Sequence, residues 1–399
     1  MTTKTLLLAA LATTLMAGTA MATDIKIGVL NDRSGVYADL SGEGSVIAAR
    51  MAVEDFDAAN KDINVEIVSA DHQNKPDVAS NIARQWYDQD GVDIIVDVPT
   101  SSAALAVSEV TREKDKVFIN SGAGSTALTG DQCSPNTIHW TYDTYALAKG
   151  TGGAMVAQGD TNWFFITADY AFGHSLEEET TKVVEAAGGE VMGTARHPFP
   201  GTDFSSYLLQ AQSSGADVIG LANAGGDTVN AIKQAAEFGI TQAGQNLAGL
   251  LIFITDVHAL GLQAAQGLVL TESFYWDLND QTREWSERFA AENGGKMPTM
   301  VHAGVYSGVM HYLKAVEATG GKDTAELMSA MKDTPTDDPL FGQGEVRADG
   351  RKIHDMYLFQ VKTPEESSGP WDYYNLLATI PAAEAFRPME EGGCALVTQ

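Results

Sequence analysis

The stretch "DIIVDVPTSSAALAVSEVTREKDKVFINSG", residues 93–122, decides how this chain is read. Ile94 to Val96 form an apolar run of strand type, Thr100-Ser101-Ser102 make a turn, and a helix follows from about Ser102. The plan then repeats, with a short strand from Val117 turning at Asn120-Ser121-Gly122. A strand that ends in small hydroxyl residues just before a helix gathers backbone N–H and side-chain O–H groups at one point. Such a point suits an anion. Helix capping by Ser101 or Ser102 explains either residue taken singly, whereas the doubled pattern favours a shared site.

Outward from this stretch, strands and helices alternate. "IKIGVL" and "INVEIVSA" read as strands, and "EGSVIAARMAVEDFDAAN" and "KPDVASNIARQWYDQ" as helices, the second opening at Pro76. A second run of the same kind has strands "WFFITA", "EVMG", "DVIGLA" and "LLIFIT" (250–255), with helices "SLEEETTKVVEAAG" and "GGDTVNAIKQAAEFG". The predicted class is α/β, with two doubly wound lobes built on parallel sheets. The last third differs: "TMVHAGVYSGVMHYLKAVEATGG" reads as one long helix and "GEVRADGRKIHDMYLFQVK" as a hairpin turning at Asp349-Gly350. The chain therefore crosses between lobes more than once.

Composition narrows the function. A chain of 399 residues exceeds what one core usually organises. Lys4, the apolar run Leu6–Met16 and Ala20-Met21-Ala22 read as a secretory leader over residues 1–22, cleaved near Thr23, and imply a periplasmic location. Against 53 Asp+Glu stand 25 Lys+Arg, a net charge of −28, which disfavours nucleic acid and anionic membranes as partners. Two cysteines, Cys133 and Cys394, suit a disulfide in an exported protein, with two buried free thiols as the alternative.

The familiar catalytic patterns are missing. There is no phosphate loop, Gly122-x-Gly124 lacks the third glycine of a dinucleotide fingerprint, and no G-x-S-x-G elbow occurs. The histidines form no metal pair, and His302 and His311 read as structural. Neither cofactor nor metal is expected, and the pattern points to binding without turnover.

"IKIGVLNDRSGVYADLSGEGSVIAARMAVEDF", "VEIVSADHQNKPDVASNIARQ", "TADYAFGHSLEEETTKVVEAAGGEV" and "FSSYLLQAQSSGADVIGLANAGGDTVNAIKQAAEFG" resemble the leucine/isoleucine/valine-binding proteins. These are type I periplasmic solute-binding components of ABC importers. The resemblance implies two lobes joined by a three-segment hinge and closing on a ligand between them. It places an N-lobe at 24–141 and 274–340 and a C-lobe at 142–273 and 341–399. It implies membrane permease subunits as partners and a monomeric receptor. A sensory subunit serving a chemoreceptor or kinase would share this fold, and an enzyme on the same scaffold is a third possibility.

In this family a ligand carboxylate sits on two successive strand-to-helix turns. The matching positions are Thr100, Ser101 and Ser102, then Ser121, Gly122, Ala123 and Gly124. The resemblance further implies Tyr37 in the first pocket loop, Asp169, Tyr170 and Phe172 in the main C-lobe loop, and Asn223 and Ala224 after the third strand of that lobe. Asp256 is a candidate partner for a ligand ammonium, and Tyr275 and Trp276 lie at a crossover. A cleft with so many rings suits a branched-chain or other apolar amino acid, or an aromatic acid.

Overall fold

The computed structural model describes residues 22–397. Residues 1–21 of the expected leader lie outside them. Among the described residues no helix is long and apolar enough to cross a membrane.

Five parallel strands form the sheet of the first lobe: β1 (Thr23–Asn31), β2 (Ile63–Asp71), β3 (Ile94–Asp97), β4 (Val117–Asn120) and β5 (Thr137–His139), in the order β2-β1-β3-β4-β5. β3 and β4 are buried throughout because helices cover both faces, which is why their sequences are continuously apolar rather than alternating. The helices Gly42–Asp55, Pro76–Gln85 and Ser101–Glu113 link these strands, and the chain passes between the lobes at three crossovers, after His139, after Glu272 and between Ile353 and Met356. The long helix Met300–Thr319 packs on Gly42–Asp55 and is buried along most of its length. As expected of structural residues, its His302 ring donates to the Ser41 carbonyl (2.8 Å) and His311 donates to that of Met331 (2.8 Å).

The second lobe has four parallel strands, β6 (Asn162–Ala168), β7 (Glu190–His197), β8 (Val218–Ala222) and β9 (Asn246–Gly249), ordered β7-β6-β8-β9. A small antiparallel sheet lies beside them, made of β10 (Val269–Glu272), β14 (Met356–Val361) and β15 (Tyr374–Ile380) in the order β10-β14-β15. Leu270, Phe359 and Tyr374 share a core cluster with Ile219 and Leu221 of β8, which fixes this sheet to the second lobe.

Three local expectations change. "LLIFIT" is not a strand: β9 ends at Gly249, and residues 250–253 lead into the helix Ile254–Leu260. The hairpin after Gly342 is short, with β12 (Gly342–Val346) pairing β13 (Lys352–Ile353), while Met356 onward joins the other sheet. Finally, β12 pairs β11 (Thr336–Asp338), and Arg351 bridges in parallel to His139 of β5. That pairing draws residues 341–353 to the first lobe, whereas the sequence reading divides the chain at 340. We propose that the division falls after Ile353 instead.

Cys133 and Cys394 form a disulfide across a sequence separation of 261. It ties the C-terminal segment to a first-lobe loop.

Candidate functional site

The two turns highlighted in the sequence lie at the carboxyl ends of β3 and β4, where open α/β sheets bind ligands. The chain leaves β3 with Asp97 at φ +83° and Val98 at φ +58°. A β-branched residue rarely adopts this left-handed conformation, so the turn is strained and needs fastening. The Val98 N–H donates to the Leu30 carbonyl (2.9 Å). Asn31 and Ser41 donate to one Asp97 carboxylate oxygen at 3.0 and 2.7 Å. Burial pushes the Asp97 pKa up to about 6 despite these donors. The result is a kink that turns Pro99 into the space between the lobes.

The helix Ser101–Glu113 then starts without a side-chain cap. Its N-cap residue Thr100 uses its hydroxyl to donate to the Asn74 side chain. Ser101 Oγ accepts the Ser125 N–H (3.2 Å), tying the first turn to the segment after the second. Neither serine caps the helix, so its first-turn N–H groups are left without a side-chain acceptor. Ser102 is only half-buried.

At the second turn, Asn120 folds back on Ala123, accepting its N–H (3.0 Å) and donating to its carbonyl (2.8 Å). The Ala123 N–H is therefore committed internally. The Ser121 hydroxyl is buried with no protein partner. Tyr142, on the first crossover, donates its hydroxyl to the Gly122 carbonyl. A Cβ on Gly124 would come within 2.9 Å of the rings of Phe172 and Tyr142, so only glycine lets the lobes approach this closely.

These elements close around a small cavity of about 10 Å³, room for about one water molecule. Tyr37, Leu40, Pro99, Gly122 and Tyr142 face Tyr170, Phe172, Ala224, Leu251 and Phe253 across it. That is far below the ~300–1,000 Å³ of ligand sites, so these walls must part to admit an organic ligand. No charged side chain is part of this lining. The Tyr37 and Tyr170 hydroxyls meet across the cleft, and Phe199 stacks on Tyr170 with ring centroids 4.2 Å apart. Burial pushes the phenol pKa values of Tyr37, Tyr142 and Tyr170 upward, keeping all three as neutral donors.

Of the residues expected in the site, Tyr37, Gly122, Tyr170, Phe172 and Ala224 line this cavity. Others are occupied elsewhere. Asp169 is exposed and pairs with His174 at 2.8 Å. Asn223 is wholly buried, donating to His197 (3.2 Å) and accepting from Thr228 (2.7 Å). Asp256 accepts the Phe253 N–H (2.9 Å) at the start of its own helix, and burial raises its pKa to about 7. Tyr275 and Trp276 both donate to the Trp371 carbonyl within the second lobe. The sequence reading missed Leu40, Pro99, Tyr142, Leu251 and Phe253. Pro99 adjoins the quoted turn and could have been found there. Tyr142 carries no local signal.

Among the described residues no group of three or more His, Cys, Asp or Glu is arranged to hold a metal ion.

Known proteins agree with this architecture. A periplasmic binding protein crystallised from Burkholderia mallei is 53% identical, with a TM-score of 0.92, over 94% of this chain and 100% of that one. The periplasmic ligand-binding protein of a branched chain amino acid ABC transporter from Burkholderia xenovorans LB400 is 41% identical, TM-score 0.83, over 93% and 99%. Leu/Ile/Val-binding protein homolog 6 of Brucella melitensis biotype 1 is 28% identical over 90% of this chain and 92% of its own length. With residues 24–369 matched by the family's own model, two lobes and a cleft at the strand ends, this chain belongs to the periplasmic binding protein family.

Proposed function

We propose that this receptor captures a small organic carboxylate that carries no ammonium group, and delivers it to the membrane permease subunits of an ABC importer. The observation that carries this reading is the pairing of an uncapped helix start at Ser101 with a cavity wall that is aromatic, aliphatic and uncharged. Free helix N–H groups can hold a carboxylate without an arginine. A buried ammonium, by contrast, needs an acidic partner, because an unpaired charge in an apolar cleft is strongly disfavoured. Asp169 and Asp256 are already engaged away from the wall. The relative from Burkholderia xenovorans is named for branched-chain amino acids, which makes an apolar amino acid the competing ligand.

The leader at residues 1–22 directs export to the periplasm, where the receptor works as a monomer without cofactor or turnover. Thr100, Ser101, Ser102, Ser121, Gly122 and Gly124 receive the carboxylate. Tyr37, Tyr142, Tyr170, Phe172, Leu251 and Phe253 enclose its body.

Paired calorimetry separates the ligand classes. Leucine against 4-methylpentanoate, and phenylalanine against 3-phenylpropanoate, differ only in the amino group. The deaminated acids are expected to bind and the amino acids to bind at least a hundredfold more weakly, the ~2.7 kcal/mol scale of an unpaired buried charge. Equal or tighter binding of the amino acids would exclude the proposed class. Mass spectrometry of the small molecule released on denaturing purified protein would identify the natural ligand.

A further inference from the structure

We infer that residues 381–394 form a fourth connection between the lobes, a strap that limits how far the cleft opens. The segment leaves β15 on the second lobe, and the Ala382 N–H donates to the Asp355 carboxylate (2.8 Å) beside the third crossover. Lys149, on the second lobe, donates to the Glu384 carbonyl. Phe386 is buried, with its ring 4.0 Å from the Arg351 guanidinium carbon and 5.2 Å from the His354 ring. Arg387 then spans the gap between lobes: its guanidinium donates to the Thr126 carbonyl of the first lobe (3.2 Å) and lies 3.9 Å from Glu179 of the second. The Arg387 carbonyl accepts from Arg347 (2.9 Å). Seven residues later Cys394 is bonded to Cys133, on the first lobe.

Arg351 gives the strap its leverage on the hinge. It is fully buried, donates to the carbonyls of Tyr142 (3.1 Å) and Trp140 (3.4 Å) on the first crossover, and lies 3.7 Å from Asp143. A buried cation needs such partners, and the Phe386 face completes them by cation–π attraction. The strap thus covers the side chain that ties the third crossover to the first. Opening about those crossovers carries Thr126 away from Glu179. Because Cys394 is held covalently, opening beyond the slack of the segment must strip Arg387 or Phe386 from its contacts. A restricted open state raises the closed fraction, and apparent affinity rises with that fraction.

The test uses ligand-free full-length mature protein and so does not depend on the ligand reading. Small-angle scattering and amide exchange are compared for the native protein, the Cys133→Ser/Cys394→Ser variant and Arg387→Ala. Both variants are expected to show a larger radius of gyration, with exchange at residues 140–143 and 351–355 faster by about tenfold or more. Should the double variant fail to fold, Arg387→Ala decides the matter, since it keeps the disulfide and removes only the bridging side chain. Native-like scattering and exchange in Arg387→Ala would overturn the strap.

Discussion

The hydroxyls of Tyr37 and Tyr170 lie 2.5 Å apart, one contributed by each lobe. They can meet only when the cleft is shut, so this bond belongs to the closed state. Tyr170→Phe leaves the Tyr37 hydroxyl buried alone, which costs about 1–3 kcal/mol, whereas removing both hydroxyls costs less. We expect Tyr170→Phe to weaken binding of the best acid by roughly 5- to 100-fold, and the Tyr37→Phe/Tyr170→Phe pair to recover part of the loss. A double-mutant cycle by calorimetry measures the coupling; strict additivity would show that the two hydroxyls act independently.

Gly124→Ala should hold the cleft ajar. The added methyl would sit 2.9 Å from the Phe172 ring, on the opposite lobe, and from Tyr142. The expected outcome is at least tenfold weaker binding with the melting temperature of the ligand-free protein shifted by no more than about 3 °C. A large loss of melting temperature would mean that Gly124 serves the fold of its own lobe rather than closure.

Ser121 offers a test of the second turn. Its buried hydroxyl has no protein partner, so replacing it with alanine removes an unsatisfied group. Stability should be unchanged or higher, while affinity for the carboxylate falls by about tenfold if the ligand is the missing partner. Thermal melting and calorimetry on Ser121→Ala give the two readings, and unchanged affinity would take Ser121 out of the site.

Asp97 predicts a pH dependence. Its pKa in the folded protein, about 6, exceeds the ordinary 3.8 because burial penalises the carboxylate. The folded state keeps a proton that the unfolded chain gives up, so the stability tied to this group is full below about pH 4. It is lost as pH rises through about 6. Asp97→Asn cannot titrate there, and the stability of the native protein relative to this variant should fall by roughly 2 kcal/mol between pH 4 and pH 7. Urea unfolding of both proteins across that range checks it; parallel curves would show that Asp97 ionises normally.

The fold was legible because residues 93–122 carry two short apolar strands whose runs leave no choice but burial on both faces. The expected second helix is absent, since the turn after Asn120 leads only to a 3-10 turn at Thr126–Thr129. The lobe-to-lobe crossings were harder. β13 and β14 look like one continuous hairpin arm, and nothing local signals that Ile353 ends a strand of one sheet while Met356 begins a strand of another. The cleft wall was half legible. Tyr37 and Tyr170 stand in loops and Phe172 in the first turn of a helix, all in segments whose resemblance to a known family announced them. Leu251 and Phe253 sit in an unbroken apolar run, and such a run reads equally as core strand or cavity wall. Asn223 misled for the opposite reason: its polar side chain is used by His197, which lies on a neighbouring strand and is invisible to any local pattern.

The Cys133–Cys394 bond also orders the protein's maturation. Cys394 follows nearly all of both lobes in the sequence, so the link can close only after those lobes have emerged on the oxidising side of the membrane. A chain stalled midway through export would hold a complete first-lobe sheet and yet keep Cys133 unpaired. The last covalent step in making this receptor therefore reports that everything before it has arrived.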